Sequence, residues 1–234
     1  MSDAVKSVTA PTTTFDPNAT EREPRWPAVI SALCVAGLSA ALPDKLSAGP
    51  PWLLPVIVAG LLVPTIMTHK TGHHRTNQVF GYIVTTVLTL FLVYSLARLV
   101  LALPQHAESP GALLRSAALL WITNVLVFAA WYWRLDAGGP HARDVRRQAG
   151  DVHCEDAAFL FPQMTSGDYG EGNPAESWSP QFVDYLFLAF NTSTALSPTD
   201  TAVLSRWAKL LMMVQSATSL TILALLAARA VNIL

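Results

Sequence analysis

Residues 190–200, FNTSTALSPTD, place the hydroxyls of Thr192, Ser193, Thr194, Ser197 and Thr199 and the carboxylate of Asp200 between two apolar runs. Clustered oxygen ligands are what hard cations accept, so one chemistry open to this stretch is lining a path for a small cation. The other is local, because Ser and Thr hydroxyls commonly cap short helices and bond nearby carbonyls. Residue type alone allows both.

Two amides extend the candidate set. Asn124 lies in the middle of one apolar run and Gln215 well inside another. Polar groups at that depth face a bundle interior, where an interhelical hydrogen bond is worth roughly 0.6–2 kcal/mol. Asp184 sits near the start of the short apolar run before the hydroxyl-rich stretch, where a helix dipole favours negative charge. His69, His73 and His74 contain an i, i+4 pair that could hold a metal on a helix, but no Cys or carboxylate shares their loop. A hydrated basic loop touching anionic headgroups is the better reading. His153-Cys154-Glu155-Asp156 is read the same way, as a solvated segment. No metalloprotease helix motif, serine-nucleophile elbow or phosphate-binding glycine loop occurs, so no enzyme activity, cofactor or metal is expected.

The elements that must position these groups are membrane-grade. Hydrophobic residues make up 52 % and charged residues 13 % of the chain, against about 25 % charged in soluble domains. A net charge of -1 offers no basic face for phosphates, which argues against a nucleic-acid partner. About 20 apolar residues cross a bilayer core, and Trp26–Leu42, Trp52–Thr68, Asn77–Leu103 and Ala112–Trp133 approach or meet that length. Trp131-Tyr132-Trp133-Arg134 suits the headgroup level. Residues 1–25 are expected as a disordered tail, too polar for a short signal peptide, 26–133 as a four-helix membrane region, and 134–180 as an aqueous linker with one apolar knot at Phe159-Leu160-Phe161. Residues 181–234 hold Phe182–Phe190, too short to cross alone, then the hydroxyl-rich stretch and a last apolar helix from about Leu204. Ala217, Thr221, Ala224 and Ala228 form a small-residue stripe on that helix, suited to close helix packing. Cys34 and Cys154 are expected as free thiols.

A short apolar helix, a polar turn and a long apolar helix describe a re-entrant loop, since irregular backbone at membrane depth survives only where protein or water satisfies it. FVDYLFLAFNTSTALSPTDTAVLSRWAKLLMMVQSATSLTILALLAARAV, residues 182–231, resembles the pore helix, filter and inner helix of the potassium-channel superfamily. The resemblance is carried by Phe190, Thr192, Thr194, Asp200, Ser205, Ala208-Lys209-Leu210-Leu211 and Ala228-Arg229. It implies an oligomeric pore with Ala112–Trp133 as its outer helix. The filter departs from the pattern, because Ser197 and Thr199 stand where the channels have glycines, and Pro198 removes a donor. A left-handed backbone costs a residue with a Cβ about 1–2 kcal/mol, so a potassium-selective filter is not expected. The whole layout, including RTNQVFGY, WITNVLVFAAWYWRLD and FLFP, is similar to an uncharacterised bacterial membrane-protein family known only as a domain of unknown function. That similarity implies a multi-pass inner-membrane protein without implying an activity.

The expected fold is all-α, with five transmembrane helices and one re-entrant helix-loop before the last; six full crossings is the alternative. A cytoplasmic N-terminus with the loop re-entering from the linker side puts eleven of the fifteen Lys and Arg inside, as the positive-inside rule favours. A potassium-channel filter opens to the exterior, which inverts that count. The function expected is a channel-like pore of unspecified selectivity, in a homo-oligomer in the lipid bilayer with a small cation as its cargo. A non-conducting membrane subunit or scaffold is the alternative, and a membrane enzyme the remaining one.

Overall fold

The computed structural model describes residues 23–70, 73–102, 110–149, 156–165, 178–194 and 200–231. Among the described residues the fold is all-α apart from one two-residue β pairing. Its helices are α1 (Trp26–Ala40), α2 (Leu53–Lys70), α3 (His74–Ala102), α4 (Pro110–Leu135), α5 (Pro140–Gln148), α6 (Pro162–Thr165), α7 (Phe182–Thr194) and α8 (Arg206–Val231). Strands β1 (Phe159–Leu160) and β2 (Ala202–Val203) pair antiparallel. Among the described residues three helical stretches, His74–Ala102, Gly111–Gln148 and Arg206–Ala228, are long and apolar enough to cross a membrane; α1 and α2 are apolar but shorter.

Local chemistry sets the helix ends. Pro27 stands in the first turn of α1, where its fixed φ suits a helix start. Pro64 removes a backbone donor inside α2, and beside it the Thr65 and Thr68 hydroxyls donate to Leu61 O and Pro64 O, each at 2.7 Å. After α4 the chain turns sharply through Ala137, Gly138 and Gly139, with φ of 51°, 78° and 91°. A Cβ on Gly139 would lie 2.8 Å from Arg134 O, so this turn requires glycine on both conformational and steric grounds. At the start of α7 the Asp184 carboxylate accepts the Gln181 N–H at 2.7 Å, capping the first turn.

Helix α4 is the centre of the bundle and touches α1, α3, α7 and α8. One end of the bundle gathers the start of α1, the end of α2, the starts of α3, α7 and α8, and the end of α4. Contacts at that end include Glu23 with Arg143, Asn77 with Thr65 O, and Tyr185 with Asp136. At the opposite end Arg98 Nε donates to Lys45 O at 3.0 Å. Helix α7 starts beside Asp136 and ends with Ser193 beside Asn124, a span of about 18 Å at 1.5 Å per residue. The chain is back at its starting end by β2, which pairs with β1, and Leu204 N donates to Ala158 O at 2.8 Å. α7 therefore ends partway along the bundle, and the described chain resumes at the end where α7 begins.

The segment expected as an aqueous linker is folded against the bundle where it is described. Phe159 and Phe161 are buried, and Phe159 sits edge-on to Tyr132, Tyr185 and Trp207, with ring centroids 5.2, 6.2 and 6.2 Å away. Such pairs add about 0.5–1.5 kcal/mol each beyond area burial. Glu23, inside the expected tail, is also buried.

Candidate functional site

The end of α7 is where the sequence-predicted polar residues converge. The last carbonyls of a helix have no partner within it, and in an apolar bundle each must find a donor elsewhere. Asn191 O accepts from the Thr194 hydroxyl at 3.0 Å. Thr192 O accepts from the Ser216 hydroxyl of α8 at 3.3 Å, and Ser193 O from the Ser219 hydroxyl of α8 at 2.5 Å. One turn earlier, Gln215 Nε2 donates to Ala189 O and to Ser193 Oγ, both at 2.7 Å. Gln215 and Ser219 stand four residues apart on one face of α8 with Ser216 beside them, so α8 supplies the donors to the Ala189, Thr192 and Ser193 carbonyls.

Helix α4 closes the other side. The Tyr132 hydroxyl donates to Gln215 Oε1, and Trp121 Nε1 donates to Ser219 Oγ at 3.0 Å. Asn124 Nδ2 reaches Ser193 Oγ at 3.4 Å and Gln215 O at 3.5 Å, while its Oδ1 meets no donor among the described residues. Asn124, Ser193, Gln215 and Tyr132 are all inaccessible to solvent.

Each candidate thus has a place. Thr192 is buried and its hydroxyl donates to Leu188 O at 2.8 Å. Ser193, Asn124 and Gln215 meet one another. Thr194 serves its own helix, and Asp200 is exposed near β2. Ser197 and Thr199 lie outside the described residues, as do His153 and Cys154. Ser193 Oγ accepts from two amides, and among the described residues no hydrogen bond joins it to a His, Asp, Glu or Lys side chain that could draw off its proton. No group of three or more His, Cys, Asp or Glu side chains suited to a metal ion occurs among the described residues.

A second buried polar cluster lies at the end of the bundle where α7 begins. Arg143 donates through Nη2 and Nε to both oxygens of Glu23 at 3.0–3.2 Å, and through Nη1 to Trp133 O at 3.0 Å and Asp136 O at 2.8 Å. Trp133 Nε1 also donates to Glu23 Oε1. The Asp136 carboxylate accepts from Ala158 N and from the Tyr185 hydroxyl, both at 2.6 Å. Burial pushes the Glu23 carboxyl up from its ordinary value, and the Arg143 guanidinium opposes that shift.

Sequence reasoning missed Ser216, Ser219, Tyr132 and this charged cluster. The signal for the first two was the spacing from Gln215. The Ala217, Thr221, Ala224 and Ala228 stripe masked it by suggesting another packing face, and those four residues are exposed in this chain. For the cluster no local signal exists, since its members are brought together from residues 23, 136, 143 and 185. Comparison with protein-family models, curated proteins and solved structures finds no match to this chain.

Proposed function

We propose that this chain is an integral membrane protein in which α1, α2, α3, α4 and α8 cross the bilayer and α7 enters halfway and returns, and that it serves as a non-conducting membrane subunit. The observation that carries this reading is the internal bonding of the polar groups in the last described turn of α7. The carbonyls of Asn191, Thr192 and Ser193 and the hydroxyls of Thr192, Ser193 and Thr194 are spent on bonds within α7 or to α4 and α8. An ion filter instead turns such oxygens toward an open axis. Charge placement supports the same reading. Arg25, Arg134, Arg143, Arg146 and Arg147 gather at the end from which α7 starts, which the positive-inside rule makes cytoplasmic, opposite to the posture of a potassium-channel filter.

A second reading, an oligomeric pore related to the potassium-channel superfamily, is favoured by one feature. Most of the apolar surface of α8 is exposed, including Leu210, Met213, Val214 and Leu220, together with the small-residue stripe. That face suits another membrane helix. Purified protein in planar bilayers separates the two: no current above background under potassium, sodium or chloride gradients supports the non-conducting subunit. A unitary current whose ion preference changes with Thr194→Trp would install the pore.

A further inference from the structure

A cavity of about 350 Å³ opens between α1, α2, α3 and α4, away from the α7 junction. Its walls are mainly apolar, with Val29, Leu62, Ile66, Val84 and Leu88 among them, while Arg25 and Arg134 stand on its rim. The volume lies within the roughly 300–1,000 Å³ typical of small-molecule pockets.

The two arginines differ in their partners. Arg25 Nη2 pairs with Asp144 at 3.1 Å, leaving its buried Nε without an acceptor. Arg134 forms no ion pair with a carboxylate among the described residues; its buried Nε has no hydrogen-bond partner, and Tyr82 is the group that favours its charge. Its guanidinium lies 5.4 Å over the Trp133 ring and against Gly81, where a Cβ would fall 1.6 Å from Nη1. A half-buried cation held against a ring and a glycine, with no carboxylate beside it among the described residues, lines an apolar cavity and can take up an anion from outside.

We propose that this cavity binds an anionic amphiphile, its acyl chain between α1 and α3 and its phosphate or carboxylate on Arg134, with Arg25 beside it. Guanidinium groups take up such oxygens in paired hydrogen bonds, and Trp131-Tyr132-Trp133-Arg134 belongs at headgroup level if α4 crosses as proposed. The inference rests on that membrane placement. Resistance of the full chain to alkaline carbonate extraction tests the placement separately.

The test is native mass spectrometry of the delipidated full chain in neutral detergent with phosphatidylglycerol, oleate, phosphatidylcholine or inorganic phosphate added. One anionic amphiphile per chain is expected, binding about tenfold more tightly than phosphatidylcholine, with Arg134→Gln removing that preference and Arg134→Lys retaining only part of it, because an ammonium cannot form the paired bonds. Adducts with phosphatidylglycerol alone identify a membrane phospholipid, and adducts with oleate alone a free carboxylate amphiphile; either supports the site. Ala130→Trp, which fills the cavity and keeps Arg134, should abolish the adduct in a chain of unchanged helicity, so the test survives if Arg134→Gln does not fold. Equal binding of phosphatidylcholine, undiminished binding by Arg134→Gln or Ala130→Trp, or phosphate alone binding as well as the lipids would overturn it.

Discussion

Gln215 carries more of the α7 junction than any other single residue. Its amide donates to Ala189 O and Ser193 Oγ and accepts from Tyr132, joining three helices through one side chain. Leucine nearly matches its volume and offers none of these bonds, so Gln215→Leu strands a phenol and a carbonyl in a site without water access. The expected loss is about 1–3 kcal/mol, read as an earlier midpoint of detergent-induced unfolding, with Tyr132→Phe costing less because it leaves only one acceptor unpaired. Loss of no stability in Gln215→Leu would mean that the junction is not closed. Asn124 and Gln215 were legible from sequence as polar groups inside apolar runs. Ser216 was not, because a serine on a helix surface and a serine capping a neighbouring helix look alike until the neighbour is placed.

The elements were legible to the degree that their cause is local. Apolar length located α1 to α4 and α8 within a few residues, and the Asp184 cap marked the start of α7. The hydroxyl-rich stretch hid the end of α7, which continues helical through Asn191–Thr194; there, donors from α8 offset the poor helix preference of Thr and Asn. The described part of 134–180 hid its packing against the bundle for a different reason. Its charges answer one another over distance: Arg143 of α5 holds Glu23 before α1, and Asp136 holds Tyr185 of α7, while Phe159 pairs with Val203 across the same end of the fold. Composition reports solvation only when charges are unpaired. Arg143→Met should therefore destabilise the fold by about 3–5 kcal/mol, because it leaves the Glu23 carboxylate buried alone. The double variant Arg143→Met with Glu23→Leu should recover much of that loss in the same unfolding assay. A single variant as stable as the parent chain would show that this end of the bundle is held by its aromatics alone.

For the whole molecule, the helix directions follow from the two ends of the bundle. Each of α1 to α4 reverses the one before, α7 starts at one end and stops partway along the bundle, and α8 leaves from the end where α7 starts. The proposed half-crossing α7 puts Asp200 on the membrane face that carries α5 and α6, whereas six full crossings put it on the opposite face. The decisive measurement is single-cysteine labelling with a membrane-impermeant maleimide in sealed vesicles of known orientation, on a Cys34→Ser, Cys154→Ser background. Cysteines at Asp200, at Gln163 on α6 and at Asp44 between α1 and α2 are compared. A half-crossing α7 predicts that Asp200→Cys and Gln163→Cys react from one side and Asp44→Cys from the other. Reaction of Asp200→Cys together with Asp44→Cys would contradict it.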